Sequence, residues 1–324
     1  MAELRYNPLL KDWVMVASHR QNRPQMPKDW CPFCPGSGKV PDNYEVYKYD
    51  NDFPALSQNP PAPDDVATEL FKTAEAYGKC EVILYSPNHT ITVPELPVSH
   101  LRKLVDLWVD RFEDMAADER IKYIFIFENR GEVVGVTMPH PHGQIYGYSY
   151  IPKKIQMELD ACVEHFDKNN SCLICDIMKD EMQQDKRVVI ENEDFVTVLP
   201  FFTDYPYGMF IYSKRHVPDI TGFSDREKTS LAEIIKDTAG TLDALFDYQF
   251  PYMMCMHQTP VNSGDCSQYY HFHIEFYPPM RSKEKQKFNA SSETGAWAPC
   301  NPTSPEEKAD ELRQAYLKYK SRLK

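Results

Sequence analysis

The same order of sequence features occurs twice along this chain of 324 residues, and this duplication limits the folds that the chain can adopt. Each half has a C-x-x-C pair, an apolar strand that ends near a histidine, a helical stretch and an H-x-H triplet. The strand-end histidines are His89 and His216, and the triplets start at His140 and His271. Since the spacing from histidine to triplet is similar in both halves, the pattern predicts an internal repeat.

The spacing of apolar residues predicts the elements of each half. Four segments have helical spacing or composition: 99–115, 151–169, 224–245 and 305–323. Apolar runs between turn residues predict strands, and their short connections favour an antiparallel sheet with helices on one face. The expected fold class is therefore α+β, with an N-terminal half at 1–170 and a C-terminal half at 171–324.

The composition excludes several classes of protein. The net charge is −12, with 36 basic and 48 acidic residues, which argues against nonspecific nucleic-acid binding because that requires basic surface. No apolar run approaches the roughly 20 residues that a membrane helix needs, and the N-terminus lacks an apolar signal core. We expect a cytoplasmic enzyme or binding protein with no membrane or nucleic-acid partner. A nucleotide-sized ligand remains compatible with this charge, since a few arginines can bind phosphate.

The segment 139–144, with sequence PHPHGQ, places two imidazoles and an amide close together. In an extended segment, residues two apart share a face, so His140, His142 and Gln144 are expected on one side. One histidine could bind a metal while the other attacks phosphorus and the glutamine donates hydrogen bonds to phosphate oxygens. The alternative is a surface loop with histidines that are merely polar.

The nine cysteines are expected to be thiols or metal ligands, because a reducing compartment disfavours disulfides. Cys31 and Cys34 form a knuckle, and His89 and His140 of the same half are natural partners. Tetrahedral zinc takes such a ligand set in structural sites. A redox C-x-x-C pair is the alternative, although no thioredoxin-like βαβ pattern surrounds it.

A second metal centre is predicted from His257, His271 and His273, with Glu158 as the carboxylate ligand. Three imidazoles and a carboxylate suit iron or zinc, although clustered histidines can also simply form hydrogen bonds in a polar core.

The repeat itself suggests a competing site. Cys172, Cys175, His216 and His271 mirror the first zinc quartet by position. Because both sites would use His271, the spacing alone does not decide between them.

Several motifs together resemble the galactose-1-phosphate uridylyltransferase family, a duplicated branch of the histidine-triad superfamily. The similarity extends from about Leu10 to Trp297 and rests on these segments: Cys31-x-x-Cys34, Ser86-Pro87-Asn88-His89, Phe127-Glu128-Asn129, His140-Pro141-His142-Gly143-Gln144 and Phe276-Tyr277-Pro278-Pro279. The resemblance implies two histidine-triad-like halves with an antiparallel sheet and packed helices, and a homodimer.

The resemblance also implies residue roles near the substrate. His142 corresponds to the nucleophile that becomes uridylylated, and Gln144 to the glutamine that binds the transferred phosphoryl group. The substrate-binding residues that it implies are Arg20, Arg23, Asn129, Thr137 and Gln144. Thr137 stands where some members have serine, which retains the hydroxyl.

For the metals, the resemblance implies zinc on Cys31, Cys34, His89 and His140. It implies a second metal, iron or zinc, on a quartet that it favours over the repeat-derived one: Glu158, His257, His271 and His273.

The implied reaction exchanges UMP between UDP-glucose and galactose 1-phosphate by a ping-pong route through uridylyl-histidine. The nucleophilic nitrogen must be unprotonated, so we predict that the other ring nitrogen of His142 donates to a backbone carbonyl. The segment 287–295 differs from the usual family form, so the acceptor sugar is less firmly implied. Two alternatives remain: an ADP-sugar or dinucleotide polyphosphate phosphorylase or adenylyltransferase using the same histidine, or a noncatalytic zinc-stabilised nucleotide-binding protein.

Overall fold

The computed structural model describes residues 2–22 and 30–323, which form two antiparallel sheets and several packed helices. The strands are β1 (Ala2–Asn7), β2 (Asp12–Ala17), β3 (Tyr47–Asp50), β4 (Thr73–Glu75), β5 (Gly78–Leu84), β6 (Tyr123–Arg130), β7 (His142–Tyr148), β8 (Val188–Glu191), β9 (Phe195–Val198), β10 (Phe210–Ser213), β11 (Tyr252–His257) and β12 (His273–Tyr277). The helices are α1 (Val98–Ala116), α2 (Lys153–Asn169), α3 (Leu173–Gln184), α4 (Asp225–Phe246), α5 (Ser291–Ala296) and α6 (Pro305–Arg322).

The larger sheet has the strand order β3-β5-β7-β6-β11-β12-β10-β9-β8. Apart from the edge strand β8, this order is symmetric about the antiparallel pair of β6 and β11, which joins strands of the first half to strands of the second. In each half a long helix connects the inner strands, α1 between β5 and β6 and α4 between β10 and β11. The topology confirms the predicted duplication and the α+β class, whereas the boundary at residues 170 and 171 stays a prediction.

One face of this sheet packs against α1, α4 and α6. Apolar residues at every second position of the central strands, such as Ile124 and Ile126, join apolar residues of the three helices in the main hydrophobic core. Helix α4 lies between α1 and α6, and its N-terminus is closed by a capping box of Ser224 and Glu227. Burial of this face is the main source of stability for both halves.

The opposite face is also covered, so the expectation of helices on one face alone was wrong. Helices α2 and α3 and the small sheet β2-β1-β4 contribute to a second core with residues such as Tyr146 and Tyr148. Helix α3 was not predicted, since we interpreted its C-x-x-C pair only as a metal or redox motif. In the structure, Cys172 is the N-cap of α3, and its sulfur accepts a hydrogen bond from the backbone of Cys175.

No helix in the described ranges is both long and apolar enough to cross a membrane.

The four helices that the sequence predicted are present in the structure. Their bounds differ from the predicted ones by at most a few residues.

Helix α4 has a close approach that only glycine permits. A Cβ atom at Gly240 would lie 2.3 Å from the ring of Tyr319 in α6. For Gly240→Ala we expect a net loss of about 1–2 kcal/mol in the free energy of unfolding, because overpacking exceeds the gain in helix propensity. Chemical denaturation measures this loss. Gly295→Ala, where a Cβ meets nothing within 4 Å, is the control. Equal stability of Gly240→Ala and the parent would contradict the α4–α6 packing.

Candidate active site and metal centres

The motif around His142 lies at the start of β7 in the middle of the first half of the sheet. Leu84 pairs with His142 and Val82 with Gln144 across β5, while β6 flanks the other side. Alternation along β7 places His142 and Gln144 on the same face as Tyr146, as expected from the two-residue period. The motif is therefore part of the sheet, and the interpretation as a surface loop was wrong.

The ring of His142 is oriented by the residue two positions earlier. Its Nδ1 lies 2.7 Å from the main-chain oxygen of His140. A carbonyl can only accept, so Nδ1 carries the hydrogen and the lone pair resides on Nε2. This is the hydrogen bond that the sequence analysis predicted.

Gly143 lets the strand pass close to a neighbouring aromatic residue. A Cβ at this position would lie 2.2 Å from the hydroxyl oxygen of Tyr85 and 3.0 Å from the main-chain oxygen of Phe127. Any larger residue would push β7 away from these neighbours and displace the adjacent His142.

His142 lies where two clefts meet. One has a volume of about 450 Å³ and the other about 330 Å³, and both are lined by Asn129, Thr137 and His142. The larger cleft is also lined by residues 90–93 and by Gln249. The smaller cleft extends towards Arg20 and Gln144. A phosphate at the boundary could thus contact His142 while its two substituents occupy different clefts.

The structure brings together most of the predicted substrate residues. Arg20, Asn129, Thr137 and Gln144 all line the smaller cleft with His142. The Tyr146 hydroxyl donates to Oε1 of Gln144 at 3.2 Å, so the amide nitrogen of Gln144 supplies the remaining donors. Arg23 lies outside the described residues.

The segment of Asn51, Asp52 and Phe53 also lines the smaller cleft and was missed by the sequence analysis. It follows β3 directly, and Asp52 accepts a hydrogen bond from Tyr49 at 2.9 Å. The prolines of the stretch from 51 to 63 predict a surface loop and give no sign of a binding site. The polar pair followed by an aromatic residue at a strand end was the available signal.

The first metal quartet is assembled as predicted. Ligand atoms of Cys31, Cys34, His89 and His140 lie within 4.8 Å of one another. Cys34 Sγ is 3.4 Å from His89 Nδ1 and 3.7 Å from His140 Nδ1, and the two Nδ1 atoms are 3.4 Å apart. Zinc bonds of about 2.3 Å to sulfur and about 2.0 Å to nitrogen give tetrahedron edges of about 3.5 and 3.3 Å. The donor set and its spacing therefore fit zinc.

The ring of His140 has the tautomer and the charge state that a metal ligand requires. Its Nε2 donates to the main-chain oxygen of Ser86 at 2.8 Å, which leaves Nδ1 as the ligand atom. Burial lowers the pKa of His140 to about 4, so the imidazole is neutral near pH 7.

The structure separates the two competing clusters of the second half and gives each its own ligands. Cys172, Cys175, His216 and His271 form one group, and Glu158, His257, His273 and Glu275 form the other. His271 was expected with Glu158, His257 and His273, but the structure places Glu275 there instead. The reason is the strand period, since His273 and Glu275 share a face of β12 whereas His271 precedes the strand.

The Glu158 cluster occupies the position in the second repeat that the candidate active site around His142 has in the first. Leu84 pairs with His142 in the first half as Tyr212 pairs with His273 in the second. In the same register, Glu275 takes the place of Gln144. His257, which pairs with His273, takes the place of Asn129. Thus the second half has a carboxylate where the first has a neutral amide.

Comparisons with known proteins identify the family. The N-terminal domain of galactose-1-phosphate uridyl transferase matches residues 1–152, and its C-terminal domain matches residues 158–313. The chain belongs to the galactose-1-phosphate uridyl transferase family. A galactose-1-phosphate uridylyltransferase from Thermotoga maritima is 42% identical over 97% of this chain and 98% of that protein.

Solved structures extend the similarity to the fold. A uridylyltransferase structure superposes with a TM-score of 0.90 at 31% identity, covering 98% of this chain and 99% of the other. An ADP-glucose phosphorylase from Arabidopsis thaliana has a TM-score of 0.75 at 23% identity, covering 97% and 99%, which shows a shared fold alone.

A buried acid lies on the wall of the larger cleft. Glu128 is buried, and the Tyr252 hydroxyl donates to it at 3.1 Å. Burial raises the pKa of Glu128 from 4.5 to about 7, against the opposing charge of Arg130. Because the pKa of Glu128 is higher in the folded than in the unfolded state, its protonation contributes to the free energy of unfolding. This contribution is fully present below about pH 4.5 and is lost as the pH rises through about 7.

The substitution Glu128→Gln replaces the titratable carboxyl group with a neutral amide, whose oxygen can still accept the hydrogen bond from the Tyr252 hydroxyl. We expect the variant to gain stability relative to the parent as the pH rises from 5 to 8, by up to about 3 kcal/mol. Urea denaturation of both proteins at several pH values measures the difference. A difference that stays constant over this range would contradict the raised pKa.

Proposed function

We propose that this protein transfers a uridylyl group between UDP-glucose and galactose 1-phosphate through a covalent intermediate on His142. The observation that carries this proposal is the position of His142 at the junction of two clefts, with its Nδ1 held by the His140 carbonyl. Membership in the uridyl transferase family supports the same reaction. A protein that only binds nucleotides would not need an imidazole with this orientation.

The first step is a displacement at phosphorus. Nε2 of His142 attacks the α-phosphorus of UDP-glucose, and the bond from that phosphorus to the bridging oxygen breaks. Glucose 1-phosphate leaves with the electron pair. The positive charge that develops on the imidazole is stabilised through Nδ1–H and the His140 carbonyl at 2.7 Å.

The second step reverses the first with a different acceptor. A phosphate oxygen of galactose 1-phosphate attacks the uridylyl-histidine, the phosphorus–nitrogen bond breaks, and UDP-galactose leaves. His142 regains its lone pair on Nε2, so no proton or electron is consumed. Two displacements at one site give ping-pong kinetics.

The neighbouring side chains suit the charge of the reacting phosphate. Gln144 offers amide hydrogens to the phosphoryl oxygens and, being neutral, neither repels the phosphate nor activates water as a base. Arg20 lies in the same cleft and would provide positive charge. Arg23 is expected to act with it. Thr137 and Asn129 line both clefts and would donate hydrogen bonds near the transferred group.

The smaller cleft suits the nucleoside. Phe33, Phe53 and Phe127 give it apolar walls, while Asn51 and Asp52 lie at its edge. A carboxylate accepts hydrogen bonds from ribose hydroxyls but repels phosphate, so the uncharged ribose is the natural partner of Asp52. The sugar phosphate would then extend into the larger cleft.

Metal ions would have supporting roles. Cys31, Cys34, His89 and His140 would bind a structural zinc that fixes the main chain of His140, whose oxygen orients the nucleophile. Glu158, His257, His273 and Glu275 would bind a second metal, iron or zinc, because two imidazoles and two carboxylates suit first-row divalent ions.

The cytoplasmic location and the homodimer stay predictions, as does galactose 1-phosphate as the acceptor sugar, since the 287–295 segment departs from the family form.

Labelling tests the covalent intermediate. The parent protein, incubated with UDP-glucose labelled at the α-phosphate and no acceptor, is expected to carry an acid-labile label on His142. Galactose 1-phosphate should then discharge this label as UDP-galactose. His142→Gly should carry no label because the nucleophile is gone. His165→Asn, a change in α2 where the histidine pairs with Asp176, should label like the parent. Intact mass and peptide mapping locate the label.

The other outcomes of this experiment contradict specific parts of the proposal. Labelling by ADP-glucose in place of UDP-glucose would mean an adenylyl-transferring or phosphorylase enzyme. Absence of label with every donor would favour a noncatalytic nucleotide-binding protein.

The comparison of the two repeats gives a prediction for Gln144. Gln144→Ala removes the amide donors and should lower kcat/KM about 100-fold. Gln144→Glu reproduces the residue type of position 275 and should lower kcat/KM further, because a carboxylate of nearly the same shape repels the phosphate. Steady-state kinetics with UDP-glucose distinguish the two variants. A Gln144→Glu enzyme that retains parental activity would rule out hydrogen-bond donation by this residue.

A further inference from the structure

The proposed function uses neither cysteine of the second C-x-x-C pair, yet the structure builds a complete ligand set around them. Cys172 and Cys175 lie at the start of α3, His216 follows β10, and His271 precedes β12. Their ligand atoms lie within 4.8 Å of one another, although the residues are far apart in sequence. Cys175 Sγ is 3.2 Å from Nδ1 of both histidines. Both cysteines are free thiols.

The outer nitrogen of each histidine is held by a hydrogen bond that points Nδ1 at the cysteines. Nε2 of His216 donates to the main-chain oxygen of Ser267 at 2.7 Å. Nε2 of His271 lies 2.6 Å from the Ser213 hydroxyl oxygen. That hydroxyl already donates its hydrogen to the Arg215 carbonyl, so its oxygen accepts from His271. Both Nδ1 atoms therefore carry lone pairs, as required of metal ligands.

The arrangement repeats that of the first quartet. In each half the strand-end histidine follows a serine by three residues, and that serine accepts the outer Nε2–H of the triplet histidine. Ser86 accepts with its main-chain oxygen and Ser213 with its hydroxyl. Two thiolates and two neutral imidazoles balance the charge of a divalent ion. A redox pair would not need two histidines aimed at the sulfurs.

We infer that Cys172, Cys175, His216 and His271 bind a second structural zinc ion, distinct from the Glu158 cluster. The ion ties the N-terminus of α3 to the central sheet of the second half. It also fixes the main chain of His271, whose oxygen accepts from Nδ1 of His273 at 3.0 Å. That bond directs Nε2 of His273 towards Glu275 and thereby orders the neighbouring metal cluster.

The unmodified protein provides the first test. Zinc-loaded protein and protein stripped with a chelator are treated with an alkylating reagent under native conditions, and each cysteine is followed by peptide mapping. We expect zinc to protect Cys172 and Cys175 as it protects Cys31 and Cys34, whereas exposed Cys300 reacts equally in both states. Equal reactivity of Cys172 and Cys175 with and without zinc, or a disulfide between them in zinc-loaded protein, would overturn the inference.

Variants of the cysteines then show which ligand set binds each ion. For this measurement the protein is loaded with cobalt in place of zinc. The absorbance band from thiolate-to-cobalt charge transfer reports only the metal that is bound by sulfur. The double variant Cys172→Ser/Cys175→Ser should lose half of this absorbance and one zinc per chain, as should Cys31→Ser/Cys34→Ser. Cys300→Ser should lose neither. An unchanged spectrum in the Cys172→Ser/Cys175→Ser protein would contradict the site. His257→Ala removes a ligand of the Glu158 cluster and should leave the thiolate absorbance intact.

Discussion

The structure of the active site depends on one short hydrogen bond, from Nδ1 of His142 to the main-chain oxygen of His140. It fixes both the tautomer and the direction of the ring, so that Nε2 carries the lone pair and is the nucleophilic atom of the proposed reaction. The acceptor belongs to a residue whose own ring is held in the Cys31 quartet and bonded to Ser86. The proposed zinc site, the strand geometry and the orientation of the proposed nucleophile are thus linked within three consecutive residues.

The duplicated sheet uses this local arrangement twice for different purposes. His273 is held by the His271 carbonyl as His142 is held by the His140 carbonyl. The difference lies in the neighbours, because Glu275 stands where Gln144 stands in the first half. Neutral amide donors suit an anionic phosphate, whereas a carboxylate suits a cation. In the proposed function, one backbone arrangement would therefore support uridylyl transfer in the first half and metal binding by the Glu158 cluster in the second.

The sequence predicted much of the fold and the principal site residues. Periodicity and composition located α1, α2, α4 and α6, and the repeat predicted a sheet with two related halves. It did not predict α3, since a C-x-x-C pair does not indicate whether a knuckle or a helix start follows, and it did not place α2 on the second face of the sheet. The cleft residues Asn51 and Asp52 were missed because loop residues contribute to a site only through the path of the chain.

What the sequence determined by itself was the chemistry at each position: the cysteine and histidine ligands, the H-P-H-G-Q motif and the two-residue alternation that puts His142 beside Gln144. Only the tertiary structure decided which ligands share a centre. His271 fits two quartets by spacing. It joins Cys175 because its ring, two residues before β12, lies against the start of α3, while Glu275 completes the other cluster. Such a choice depends on distances between elements remote in sequence, and packing alone sets those distances.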